Sequence, residues 1–115
     1  MRHHNRNKKF GRVRKQRKAL LSSLARSLVL KEKIETSEVK AKALRPLIER
    51  LVTHGKKGTV AARRTITTRI GKEGTKKLVD VLTPKYNQRK GGYTRIVKLP
   101  RRLSDDSSRA IIEFV

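Results

Sequence analysis

The sequence predicts an α+β fold: a small mixed domain of about four helices and a short three-stranded sheet, led by a basic N-terminal arm. Three observations carry that expectation. Residues 1–18 hold no acid and almost nothing apolar. Stretches between Val13 and Leu82 repeat apolar residues at the helical spacing of three and four. From Tyr93 the repeat shortens to two, the period of a strand.

Charge is the dominant compositional fact. The 115 residues are one small domain's worth, able to bury a limited core. They carry 32 Lys and Arg against 9 Asp and Glu, a formal net charge of +23, with a hydrophobic fraction of only 35%. Such self-repulsion opposes compaction unless a polyanion is close. Nucleic acids and anionic membranes are the natural candidates, with an acidic protein a weaker third. There is no cysteine, which excludes disulfides, thiolate catalysis and Cys-based zinc sites. No apolar run approaches the ~20 residues of a membrane-spanning helix. Phe10 is the first large apolar residue after Met1, so the start lacks the apolar centre of a signal peptide. It also has too little apolar content to make an amphipathic transit segment.

The arm, MRHHNRNKKFGRVRKQRK, reads as a segment that orders on its partner. Solubility alone does not require such a density of cations with no acid interspersed. Leu20, Leu24 and Leu28 then recur every fourth residue, with Leu21 and Ala25 beside them, giving a helix from about Val13 to Leu30. Its first turns, with Arg14, Lys15, Arg17 and Lys18, are basic. Cations there oppose the helix dipole, so an external anion is the expected compensation.

Residues 31–37 are short and extended around Ile34. Thr36 or Ser37 supplies an N-cap, and Glu38 suits the first turn of the next helix. That helix has the clearest periodicity: Val39, Ala43, Leu44, Leu47, Ile48, Leu51 and Val52. Pro46 inside it should kink or split it, and Gly55 is the expected cap beyond its end. A third helix is expected from Thr59 to Ile70, with Val60, Ile66 and Ile70 inward, Arg63, Arg64 and Arg69 outward, and Gly71 closing it. A fourth should run from Thr75 to Leu82, with Leu78, Val79 and Leu82 inward and Pro84 as its stop.

Gly91-Gly92 then forms a turn. Between Tyr93 and Leu99, Thr94, Ile96 and Lys98 fall on one face of a strand and Arg95, Val97 and Leu99 on the other. A polar loop, Pro100 to Ser108, precedes a β-branched strand, Ala110 to Val115. An antiparallel pair across that loop is expected. No repeat and no long linker divides the chain.

Nothing here supports catalysis. The acids are scattered, and Asp105 and Asp106 sit in a polar loop. His3 and His4 lie in the arm without a carboxylate to orient them, and His54 suits a helix C-terminus. Neither a metal site nor a cofactor is expected. Gly91-Gly92 precedes a strand, whereas a phosphate-binding loop follows one and opens a helix. The pair fits a turn needing positive φ, close approach to a phosphate or sugar, or both. The nucleic-acid signals are stronger. Cations cluster in the arm, at Arg63, Arg64 and Arg69, and at Lys85, Arg89, Lys90 and Arg95, flanked by Tyr86 and Tyr93. An aromatic ring beside such cations can stack on an unpaired base. Aromatics are only 3% of the chain, so a platform of several rings is excluded and phosphate and shape should dominate.

Six segments carry a resemblance: the opening Met1-Arg2-His3, ALLSSLARSLV from Ala19, KIETSEVKAKALRPLIERL from Lys33, AARRT from Ala61, RKGGYTRIVKL from Arg89, and AIIEFV from Ala110. In collinear order over essentially the whole chain, they resemble the bacterial large-subunit ribosomal protein seventeen family. That resemblance implies a structural protein of the large ribosomal subunit, in the cytoplasm, bound to large-subunit rRNA near the polypeptide exit side. Its neighbours would be other large-subunit proteins, with no membrane and no small-molecule substrate. It implies a basic RNA-binding arm, 1–18, and a single globular α/β domain, 19–115. RNA contacts are implied at Arg2, His3, Arg63, Arg64, Tyr93 and Arg95. Charge and position add Arg6, Lys8, Lys9, Arg12, Arg14, Lys15, Arg17, Lys18, Arg69, Arg89 and Lys90. Where the family often carries Ser-Ser-His-Arg before its leucine stripe, this chain has the more basic VRKQRK, Val13 to Lys18. The competing reading is a DNA-compacting architectural protein, although no helix-turn-helix or dimer heptad is evident. An interfacial membrane binder would need anchoring aromatics that are absent.

Overall fold

The first acid in the chain, Glu32, is also where its first helix stops. Helix α1, Arg14–Lys31, ends with Glu32 in the left-handed conformation (φ 64°), its N–H bonded to the Leu28 carbonyl. That backbone state costs a non-glycine residue ~1 kcal/mol. Lys77 and Lys85 both approach the Glu32 carboxylate, at 3.8 and 3.7 Å, while Lys77 also caps the Leu30 carbonyl at 2.6 Å. This computed structural model describes residues 3–4 and 8–115. The expectations placed on Arg2 and Arg6 lie outside the described residues.

Strand β1, Lys33–Ser37, leads directly into helix α2, Glu38–Lys57. Of the two candidate caps, Ser37 is the one used: its hydroxyl accepts from the Lys40 N–H. Pro46 does not split α2. It sits on the exposed side, where the carbonyl that loses its amide partner can turn to water. Gly55 is not the cap. The helix runs on to Lys57, and Gly58, at φ 67°, closes it. Val39 is 43% exposed rather than inward, and Ala41 takes its place in the buried stripe with Leu44, Ile48, Leu51 and Val52. The buried stripe starts two residues later than expected, at Ala41.

Helix α3, Val60–Lys77, is broken at Gly71 (φ 79°, ψ 174°). The chain folds back there. The Thr67 and Thr75 hydroxyls meet at 3.0 Å, and Arg63 reaches Asp80 at 3.3 Å. The described residues therefore form three α-helices rather than four. The expected separate helix over 75–82 is the second limb of α3, continued by a π-helical turn, Leu78–Leu82. Pro84 does not stop it, because the chain carries on through a 3-10 turn, Thr83–Tyr86, whose first positions need no amide N–H. Val60 is 65% exposed. The buried row is instead Ala62, Ile66, Ile70 and Gly74, four residues apart.

Strands β2, Thr94–Leu99, and β3, Arg109–Phe114, pair antiparallel, and β1 adds to the far side of β3, giving the order β1-β3-β2. The expected alternation holds. Ile96 stands opposite Ile112, which stands opposite Ile34, all facing inward. Helix α2 contacts all three strands and covers that inner face. Leu28, Leu44, Ile48, Ile66, Ile70, Leu78, Leu82 and Ile112 are the largest fully buried side chains of one continuous core.

Candidate nucleic-acid interface

Before α1 begins, the arm turns sharply. Phe10 and Gly11 are both at positive φ (54° and 61°), and the Arg12 N–H closes on the Lys9 carbonyl at 3.1 Å. Helix α1 then opens with no side-chain cap and no acid in its first turn. Lys8, Lys9, Arg12, Arg14, Lys15 and Lys18 are exposed, and Arg17 is half-buried. Among the described residues none of these seven forms an ion pair. Burial on α1 starts only at Ala25, so Leu20 and Leu21 are only partly covered and the basic turns stand clear of the body. His3 is exposed next to a turn at His4 (φ 62°).

The other expected cations separate into free and engaged. Arg64 and Arg69 are exposed on α3, with no carboxylate partner among the described residues. Arg63 is half-buried and bonded to Asp80 at 3.3 Å. Arg89 and Lys90 are exposed beside the glycine turn, where Gly91 and Gly92 have φ of 142° and 62° and open space where a Cβ would stand. Arg95 is held by Glu113 at 2.9 Å on the outer face of the sheet. The structure adds Lys72 and Lys76, both exposed on the second limb of α3. No helical step from Arg64 leads to them, because α3 breaks at Gly71 in between. The acid between them, Glu73, is taken up by Arg26 of α1 at 3.4 Å.

The stacking role expected of Tyr86 and Tyr93 is corrected by their burial. Each residue is only 3% exposed. Their ring centroids lie 5.3 Å apart, and Tyr86 also packs on Phe114. The Tyr86 hydroxyl donates to the Val115 carbonyl at 2.8 Å, and burial pushes its pKa up. Tyr93 donates to the Arg89 carbonyl at 3.2 Å and accepts from Lys56, whose Nζ lies 5.3 Å from the ring centroid. A ring this enclosed offers no free face to a base. Tyr93 instead anchors the loop that carries Arg89 and Lys90. Only the flanking cations are visible in sequence, not the aromatic cluster that takes up both rings.

A shallow cleft of about 480 Å³ is lined by cations and an acid together, Lys40, Arg102 and Arg109 with Glu35. Among the described residues no group of His, Asp and Glu could hold a metal ion, and no helix is long and apolar enough to cross a membrane.

These features define a class: small, strongly basic α+β proteins with unneutralised cations on an arm, a helix start and one helix face. Residues 20–115 match the family model described as Ribosomal protein L17. The chain is 56% identical over 117 residues to the large ribosomal subunit protein bL17 of Hydrogenobaculum sp. (strain Y04AAS1), covering 100% of this chain and 99% of that one. It is 51% identical over 119 residues to the bL17 of Persephonella marina, covering 100% and 95%. It is 45% identical over 113 residues to that of Exiguobacterium sp., covering 93% and 97%. The chain belongs to the ribosomal protein L17 family, a family of structural rather than enzymatic proteins.

Proposed function

We propose that this chain is a structural constituent of the large ribosomal subunit. It binds large-subunit rRNA mainly through phosphate and shape contacts and supports subunit assembly and translation. The observation that carries this reading is the run of cations from Lys8 to Lys18. It has no carboxylate partner among the described residues, and it opens a helix with no acid in its first turn. Phosphates placed there would satisfy both the side chains and the free amides of the helix start. Arg64, Arg69, Arg89 and Lys90 extend the same chemistry around the domain. Contacts of this kind set position rather than read sequence. The fold gives the arm a rigid body to project from, and the arm threads between RNA segments during assembly.

The test is sedimentation of a cell lysate on a sucrose gradient, followed by washing of the particles in rising salt. The chain should travel with the large subunit and resist moderate salt. Recovery at the top of the gradient, or with chromosomal DNA, would overturn the reading.

A further inference from the structure

Helix α2 packs against the 3-10 turn Thr83–Tyr86, and its last turn reaches the loop 87–92 that follows. Asn87, Gln88, Arg89 and Lys90 are exposed there, and Gly91-Gly92 bring the backbone freedom of glycine to the loop's far end. The loop's own bonds are local. The Arg89 N–H donates to the Tyr86 carbonyl at 2.9 Å, and the Tyr93 hydroxyl donates to the Arg89 carbonyl at 3.2 Å. Lys56 comes from elsewhere. It is half-buried, whereas its neighbour Lys57 is exposed. Its ammonium donates to the Arg89 carbonyl and, at 3.2 Å, to the Tyr93 hydroxyl. Among the described residues it forms no ion pair, and no other side chain from outside residues 86–93 bonds to this loop.

We propose that Lys56 is a positioning residue: it contacts no phosphate itself, and it fixes the loop so that Arg89 and Lys90 meet RNA already ordered. The inference rests on the ribosomal reading above. A lysine whose only task is to meet phosphate extends into solvent, as Lys57 does. Lys56 instead directs two of its three donors at the loop. A charge-assisted bond is roughly twice as strong as a neutral one, and the bond to Arg89 joins residues 33 apart in sequence. It therefore ties the loop to the helix rather than to itself. The tie survives loss of the Tyr93 hydroxyl, because Lys56 reaches the Arg89 carbonyl directly. A backbone held in this way has little freedom left to lose when its two cations bind.

The test measures affinity of the full chain for large-subunit rRNA across a range of salt, in a double-mutant cycle. Lys56→Met should lower affinity ~5-fold, the equivalent of one hydrogen bond of typical net strength, and leave the slope of log affinity against log salt unchanged. Lys56→Arg, which keeps a charged donor, should recover most of the loss. In a chain already carrying Arg89→Ala and Lys90→Ala, Lys56→Met should cost nothing further, because no cation is left to position. A slope flattened by ~0.7–0.9, the mark of a lost phosphate contact, would make Lys56 an RNA contact and overturn the inference. Unchanged affinity would overturn it too, as would an equal loss in both backgrounds, the sign of a general effect on the fold. If the Lys56→Met chain does not melt cooperatively, Lys56→Gln takes its place in the cycle. Unaltered binding by the chain with Arg89→Ala and Lys90→Ala overturns the inference and leaves the ribosomal reading standing on the arm. Failure of the unaltered chain to bind rRNA would sink that reading itself.

Discussion

A Cβ on Gly55 would stand 2.7 Å from the hydroxyl oxygen of Thr83. Helix α2 and the 3-10 turn approach so closely there that no larger residue fits without movement. Both positions are buried, so the neighbours have little room to give.

Gly55→Ala should therefore destabilise the domain, although alanine is the better helix former. Overpacking costs ~1–3 kcal/mol against a propensity gain of ~1 kcal/mol, and the net loss should lower the urea midpoint. Thr83→Ala in the same chain should recover most of it. The hydroxyl that the new methyl group strikes is then gone, and it had no hydrogen-bond partner to lose. A double variant no more stable than Gly55→Ala alone would show that the contact is not the cause.

Tyr93→Phe separates a core ring from a base-stacking ring. It removes the hydroxyl shared by Lys56 and the Arg89 carbonyl, a loss of ~1 kcal/mol in a thermal melt. Affinity for large-subunit rRNA should stay within about twofold, since a residue that is 3% exposed touches no base. A large affinity loss in a chain that still melts cooperatively would restore the stacking role.

Arg64→Ala and Arg69→Ala should leave stability within ~0.5 kcal/mol, as exposed substitutions do. Each should flatten the dependence of log affinity on log salt by ~0.7–0.9, the contribution of one phosphate contact. Arg95→Ala and Arg102→Ala should leave that slope unchanged, because their charge is already offset by Glu113 and Asp105. Equal slopes for all four variants would contradict the division into free and engaged cations.

Asp105 gives a pH signature. The Arg102 guanidinium grips its carboxylate from Nε at 2.9 Å and Nη2 at 2.8 Å, and the Ser107 N–H adds a third bond at 3.1 Å. Arg102 first, then Ser107, hold the Asp105 carboxyl well below the usual range. With the folded pKa depressed, the contribution to loop order is present above the ordinary carboxylate value of ~3.9 and is lost as pH falls through the folded value. An NMR titration of Asp105 should show a midpoint below ~3.9, moved upward by Arg102→Ala. An ordinary midpoint in the unaltered chain would dismiss the grip.

Periodicity within single elements is readable in the sequence, and pairing between elements is not. Leu24 and Leu28 of α1, the stripe Leu44–Ile48–Leu51 and the alternation of β2 are local patterns, and each settles where its spacing points, whereas Leu20 stays outside the core. Val39 and Val60 lie outside the core because apolar character at a helix start does not reveal whether the first turn has reached it. Gly55 resembles a cap because glycine favours left-handed backbone, yet it serves close approach to Thr83, a neighbour far along the chain. The site divides in the same way. Which residues are cationic is plain in the sequence. Which remain free is decided by contacts such as Arg26–Glu73 and Arg109–Glu35, which only the folded chain creates. Tyr93 resembles a reader of bases because its cationic neighbours are adjacent in sequence and its packing partners are not.

The strand at the middle of the sheet is the one made last. β1 and β2 each pair with β3 and not with each other, so both wait as bare strands while the nascent chain lengthens. The sheet closes only when residues 109–114 have cleared the exit of the ribosome that makes them. Pairing of β1 with β3, which brings Ser37 opposite Arg109, spans a long sequence separation and is slow. During that interval the repulsion among its own cations helps to keep each new chain from aggregating with the next.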